Sequence, residues 1–362
     1  MIVSNRIDLI DKNLYIDPSV DVSALKFRDV KDDPFRVYGL YNYKNEPVFK
    51  RLPDSVGTSL GTGIEKLYKH TAGGRVRFST DSKTIAIKSY MSIFTKMPHM
   101  PFSGSGGFDV FVEDPQTRTY KHVKTFIPPC DMDGGFVSKF EFSDRKLRYI
   151  TINFPLYNVV DKLEIGLDAD AKLGEGLDYK NDLPIVYYGS SITQGGCASR
   201  PGNSYQSIIS RELELDFINL GFSGNAKGED GIVDYIRGLD MLAFVCDYDH
   251  NALTVEHLLK THKRMYERFR EVQPNTPYIM ASRIDKVDVP ECADRRDVIF
   301  DTYRYARSLG DNNVYIIDGA GVFRGYEDMT TVDTCHPNDL GFYLMAKTFG
   351  DEIRKALFDK NV

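Results

Sequence analysis

The 362-residue chain has no tryptophan, so any aromatic platform must come from its 22 tyrosines and 22 phenylalanines. Cysteine is scarce and odd in number: Cys130, Cys197, Cys246, Cys292 and Cys335 are scattered and form no CxxC pair. That argues against a disulfide framework or a zinc-ligand spacing and fits reduced thiols. Blocks of lysine and arginine are absent, and the formal net charge is −6. Nucleic acid and membrane surfaces are therefore not expected partners. No apolar run approaches the ~20 residues that span a bilayer. The opening stretch, Met1 to Asp8, lacks the charged start and apolar core of a signal peptide, so the chain as it stands is expected in the cytoplasm.

What is present divides by period. Up to about residue 170 the chain reads as β. Arg75–Phe78, Thr84–Tyr90, Phe108–Val112, His122–Ile127, Lys139–Phe142, Tyr149–Phe154 and Lys162–Leu167 suit strands, several with alternating apolar and polar residues. Turn signals such as Ala72-Gly-Gly, Ser105-Gly-Gly and Asp133-Gly-Gly separate them. This predicts an antiparallel β-sandwich of jelly-roll type. The loop Phe94–Gly107 is rich in Met, Phe and Gly. Two readings stay open for it: a flap over a site, or a loop packing its own hydrophobic residues. His70, His99 and His122 show no metal-ligand spacing and read as surface or core histidines.

The acidic, Gly-containing stretch Asp168–Pro184 marks the division, with an accessory domain over 1–175 and a second domain over 176–362. Beyond it, strands near 185–188, 217–220, 242–247, 278–282 and 314–318 alternate with helices near 204–213, 230–237, 254–272, 292–308 and 338–357. Such βα units predict a doubly wound parallel sheet of five strands in flavodoxin-like order. The helix over 254–272 carries an apolar stripe, and its His257 and His262 read as surface residues.

The run Ile185-Val-Tyr-Tyr-Gly-Ser-Ser-Ile-Thr-Gln-Gly-Gly196 is a buried strand ending in a Gly-rich turn. It would present a hydroxyl at the sheet edge where ligands of such folds bind. A serine there is a candidate nucleophile if the chain supplies a base and an oxyanion site. Three later blocks follow other strands: Asn219-Leu-Gly221-Phe-Ser-Gly224-Asn225, Cys246-Asp247-Tyr248-Asp249-His250-Asn251 and Asp333-Thr-Cys-His336-Pro337. Each alone has an ordinary explanation, as helix cap, turn acid or helix-start histidine. Together, in this order on a βα repeat, they resemble the SGNH (GDSL-like) hydrolase superfamily over residues 184–357.

That resemblance implies Ser191 as nucleophile, His336 as general base and then acid, and Asp333 as the partner of the imidazole. It implies an oxyanion hole from the backbone N–H of Ser191 and Gly224 and the side chain of Asn251. Ser190 stands where the family has aspartate, which leaves two serines to choose between; Ser191 is preferred. The third block departs from the family pattern at Asn251, and its Asp247 and His250 are candidates for substrate contacts or for supporting the residues that make them. Arg200 and Arg283, in loops at the same edge, are candidates for substrate binding or ordinary ion pairs.

The β-sandwich in front resembles carbohydrate esterases, so a serine esterase removing acetyl groups from carbohydrates is expected. It would need no metal and no cofactor, and would act on a small-molecule or oligosaccharide ester. A lipase or thioesterase for longer acyl chains, and a non-catalytic glycan-binding protein, are the alternatives. Homo-oligomerisation is left open.

Overall fold

A computed structural model describes residues 10–11, 14–16, 20–252, 254–285 and 289–359. Met1 to Asp8, on which the signal-peptide reading rests, lie outside the described residues. Chain order begins with β1 (Leu25–Asp29), β2 (Arg36–Tyr38), α1 (Asp54–Gly57), α2 (Thr62–Leu67), β3 (Arg75–Thr80) and β4 (Thr84–Tyr90). Next come α3 (Phe102–Ser105), β5 (Phe108–Glu113), β6 (Tyr120–Phe126), β7 (Gly135–Glu141), β8 (Arg148–Asn153), β9 (Lys162–Asp168) and β10 (Leu173–Glu175).

These strands form two antiparallel sheets, one ordered β1-β9-β4-β7 and one ordered β10-β3-β8-β5-β6 with β2 on β3. The expected sandwich is present. All the anticipated strands form. Three further ones, β1, β2 and β10, were not expected; they run three to five residues and lie at sheet edges or beside β3.

The alternation in β3 explains how this module is held. Val76 and Phe78 point into the core between the sheets, with Ile85, Ile87, Ile150, Ile152 and Ile165. Arg75 and Arg77 point to the opposite face, yet every residue of the strand is buried. The other half of the chain covers that face. Arg75 pairs with Asp216 and donates to the Phe217 carbonyl at 3.1 Å.

The second half comprises β11 (Ile185–Gly189), α4 (Ser191–Gln194), α5 (Tyr205–Leu213), β12 (Phe217–Gly221), α6 (Asp230–Arg237) and β13 (Ala243–Asp247). It continues with α7 (Val255–Arg270), β14 (Tyr278–Ala281), α8 (Pro290–Ser308), β15 (Val314–Ile317) and α9 (Asp339–Phe358). The five strands pair in parallel in the order β12-β11-β13-β14-β15, the flavodoxin-like arrangement.

Both faces are covered, which is why β11 is apolar throughout. Ile185 and Tyr187 pack with α5 and α9 residues such as Ile209, Phe342 and Phe349. Val186 and Tyr188 pack with α6, α7 and α8 residues such as Ile236, Leu258 and Ile299. His262 corrects the surface reading. It is 1% exposed and stacks on Tyr248, because it falls on the stripe Leu258, Met265, Tyr266 and Phe269 that α7 buries. Among the described residues no helix is long and apolar enough to cross a membrane.

Arg51 fixes the first half of the chain to the second. Buried to 1% exposure, it donates to the carbonyls of His70 (2.8 Å) and Leu67 (2.7 Å) on its own side. Across the interface it donates to Asn219 (3.1 Å) and Gly221 (2.5 Å) at the end of β12. Its guanidinium carbon lies 4.7 Å from the Phe222 ring centroid. Removing it orphans several buried carbonyls, each worth about 1–3 kcal/mol. Arg51→Ala is expected to lower stability by about 3 kcal/mol or more in urea unfolding, with Arg51→Lys restoring only part because it lacks the planar fork. A loss within about 0.5 kcal/mol, the range of ordinary surface substitutions, would contradict this role.

Candidate active site

The turn after β11 is built for close approach. A Cβ on Gly189 would sit 2.1 Å from Thr193 Oγ1 and 2.2 Å from the Asp247 carbonyl oxygen. Ser190 is extended and caps α4, its Oγ accepting from the Ile192 N–H at 3.1 Å. Ser191 is therefore free to turn its side chain outward. Its Oγ lies 2.9 Å from His336 Nε2. The two serines thus have separate jobs, one capping and one facing the histidine. Gly195 closes α4 in the left-handed region at φ +101°.

The Asp333–His336 segment is a tight turn through Thr334, whose φ is +65°. Asp333 Oδ1 accepts from the His336 backbone N–H at 2.8 Å and from that of Cys335 at 3.2 Å. Its Oδ2 accepts from His336 Nδ1 at 2.7 Å. One carboxylate thus shapes the turn and fixes the imidazole with Nε2 toward Ser191. Burial pushes Asp333 upward, but the His336 amide and ring outweigh it and hold the carboxyl below its ordinary range. Asn338 then caps α9 through Gly341 N–H.

Gly224 sits at φ +69°, and a Cβ there would meet nothing within 4 Å. Its left-handed backbone favours glycine, and the face it turns outward is open. Asn251 ends a short 3₁₀ turn, and its Oδ1 accepts from the Ala226 N–H at 3.2 Å. The Nδ2 group remains as its donor end. The Ser191, Gly224 and Asn251 loops are tied together by this bond and by Phe222 N–H to the Gly189 carbonyl at 2.8 Å.

The remaining candidates are engaged by partners within the protein. Asp247 is 1% exposed, accepts from Thr193 and Tyr205 hydroxyls at 3.2 and 3.3 Å, and does not reach the cleft. Burial pushes its carboxyl up to about 8 against those hydroxyls. His250 Nε2 meets Asp285 Oδ1 at 2.9 Å, and Arg283 grips the same carboxylate at 2.7 and 2.8 Å. Arg200 pairs with Asp109 of the sandwich at 2.9 Å. For both arginines the ion-pair reading describes the geometry.

Several residues escaped the sequence reading. Gln194 engages every polar atom of its amide. Its Nε2 donates to the Leu156 carbonyl and to His70 Nδ1, both at 3.1 Å, and its Oε1 accepts from Ser223 N–H at 3.1 Å. Burial, then Arg51, pushes His70 down to about 3, so its ring stays neutral and can accept. Tyr157 donates to the Ser191 carbonyl at 3.1 Å. His99, on the Phe94–Gly107 loop, places its ring centroid 5.4 Å from that of His336. That loop is anchored on the second half of the chain by Ser103 Oγ to the Ser199 carbonyl at 2.6 Å. A cavity of about 380 Å³ flanks the Asp333 turn, with Ile284, Phe323 and Val332 beside Asp285, Arg324 and Glu327.

Two outcomes follow from these contacts. Gln194→Met is expected to lower kcat about 10²-fold with KM little changed, because the loop of Gly224 loses its brace; unchanged kcat would refute the bracing. Asp247 binds its proton more tightly folded (about 8) than at its ordinary value of 3.8, so stability falls as pH rises between these values. The melting-temperature advantage of Asp247→Asn over wild type should therefore grow from about pH 5 to about pH 8. Parallel pH profiles for the two proteins would contradict it.

Residues 182–354 match the GDSL-like lipase/acylhydrolase family, and residues 25–173 match the N-terminal module of SGNH-hydrolase-type esterases. No curated protein sequence matches the chain. Among solved structures, a Bacteroides ovatus protein described as a GDSL-like lipase is 26% identical, with a TM-score of 0.81 over 92% of this chain and 98% of its own. A salicylyl-acyltransferase from a tetracycline biosynthetic pathway shares the fold at 19% identity and TM-score 0.73, over 91% of this chain and 97% of its own. An acetyl xylan esterase from the rumen bacterium Butyrivibrio proteoclasticus does so at 12% identity and TM-score 0.60, over 92% and 99%. Residues 182–354 thus form a GDSL-like lipase/acylhydrolase domain behind the N-terminal module of SGNH-hydrolase-type esterases, and the chain is a carboxylic ester hydrolase.

Proposed function

We propose that the protein is a serine esterase that removes short acyl groups, acetyl above all, from carbohydrates. Residues 176–362 would carry the chemistry and residues 1–175 would brace and border it. The observation that carries the reading is the unbroken relay from Ser191 Oγ to His336 Nε2 (2.9 Å) and from His336 Nδ1 to Asp333 Oδ2 (2.7 Å).

In this reading Ser191 Oγ attacks the ester carbonyl while His336 takes its proton. Asp333 stabilises the resulting imidazolium. The carbonyl oxygen becomes an oxyanion, met by the Ser191 and Gly224 backbone N–H groups and Asn251 Nδ2. Collapse breaks the bond to the sugar oxygen, which leaves with the proton from His336. Water, deprotonated by His336, then attacks the acyl-serine and releases the carboxylic acid. No step requires a metal or a cofactor.

The substrate class rests on two supports. The cavity beside the Asp333 turn mixes apolar and charged side chains, which suits a polyhydroxylated leaving group better than a long acyl chain. The acetyl xylan esterase that shares the fold is a carbohydrate esterase. A second reading, transfer of the acyl group to an acceptor other than water, is favoured by the acyltransferase with the same two-part architecture.

Hydrolysis of nitrophenyl esters of increasing acyl length, then of acetylated oligosaccharides, tests the proposal. Acetate release is expected to dominate and to fall with acyl length. Ser191→Ala should lower kcat about 10⁵–10⁶-fold and Asp333→Asn about 10⁴-fold. Preference for long chains would favour a lipase or thioesterase. Glycan binding without turnover of any ester would favour a binding protein, and full activity in Ser191→Ala would refute the nucleophile.

A further inference from the structure

Three side chains far apart in sequence meet beside Ser191. His99 comes from the sandwich loop, Cys197 follows α4, and His336 precedes α9. One ligand atom from each lies within 4.8 Å of the other two. Cys197 is 5% exposed and held at φ +73°, a conformation uncommon for residues with side chains. Ester cleavage as described above uses neither Cys197 nor His99.

His336 is already oriented as a metal ligand would be. Its Nδ1–H is bonded to the Asp333 carboxylate at 2.7 Å, the outer partner that zinc-bound histidines characteristically have. The lone pair on Nε2 is left for whatever faces it. The bond that makes this nitrogen basic toward a serine proton also makes it basic toward a cation. Two imidazoles and a thiolate are a donor set for zinc and not for magnesium or calcium, which prefer oxygen. Zinc bonds of about 2.0–2.1 Å to nitrogen and about 2.3 Å to sulfur set the donors about 3.5 Å apart, so the trio must draw in by about 1 Å. Half-buried His99, on its loop, is the donor that would have to close this gap.

We propose that His99, Cys197 and His336 form an inhibitory site for a thiophilic divalent cation, zinc first, which captures the imidazole that would otherwise serve Ser191. The inhibitory consequence rests on His336 acting as the general base; the binding site does not. Zinc takes the Nε2 lone pair, Cys197 binds as thiolate and releases one proton to solvent, and water or Ser191 Oγ completes the tetrahedron. No electron is transferred and removal of the metal restores the enzyme.

The test uses the full-length protein, freed of metal and titrated with Zn²⁺, Co²⁺ or Mg²⁺. Zn²⁺ is expected to inhibit, EDTA to reverse it, and Mg²⁺ to leave the rate unchanged. Co²⁺ should produce a thiolate charge-transfer band that Cys197→Ser abolishes. His99→Gln and Cys197→Ser, each measured against its own uninhibited rate, should raise the inhibition constant for Zn²⁺ about 10–100-fold. The same inhibition constant in both variants, or a Co²⁺ complex without the thiolate band, would overturn the proposal. Should Ser191→Ala keep full activity, the esterase mechanism fails while the Co²⁺ spectrum still decides the site.

Discussion

The side-chain amide of Gln194 is fully buried where the two halves of the chain meet. It offers two donor hydrogens and one acceptor. The donors go to Leu156 and His70 of the first half, and the acceptor takes the Ser223 N–H of the loop carrying Gly224. Burial keeps His70 neutral, which lets that ring accept at all. Gln194 itself belongs to the same four-residue helix as Ser191. The Ser191 turn, the Gly224 loop and the sandwich therefore share one set of largely buried hydrogen bonds. A buried polar network of this kind is stabilising only when every member is satisfied. The second half of the chain therefore draws two of the bonds that hold Gln194 from the first.

The face of the sandwich turned toward the hydrolase sheet follows the same logic. Arg51, Arg75, Arg77, Asp109 and Glu113 are all buried there, and each is paired or bonded to carbonyls. A free-standing sandwich would leave those groups to water. The price of burying so many charges is met by partners on both sides of the interface, Asp216 for Arg75 and Arg200 for Asp109. The Phe94–Gly107 loop extends this contact to the rim of the site, where His99 stands next to His336.

Much of this was legible from sequence because it depends on local period and order. The alternation of strand and helix after residue 184 has one common solution, and β11 to β15 adopt it. Asp333 and His336, three positions apart, need only a tight turn to meet. Ser190 is consumed as a helix cap, while Ser191 faces His336. What escaped depends on distant partners. Gln194 and Arg51 look like ordinary polar residues until the segments holding Leu156 and Gly221 are placed beside them. His262 reads as a surface residue by type alone, and its position on the α7 stripe overrides that. Short strands such as Leu173–Glu175, with a central glycine, carry too little pattern to stand out. His99 meets His336 through tertiary folding alone.

The proposed mechanism stands or falls on acylation of Ser191. It is tested most directly by quenching the enzyme during the first turnovers of an acetyl ester and sequencing its peptides by mass spectrometry. The account predicts an acetyl group on Ser191 that is discharged by water and is absent after Asp333→Asn under the same brief exposure. An acetyl group on Ser190 or on another residue, or steady turnover with no acyl-enzyme at any time, would contradict it.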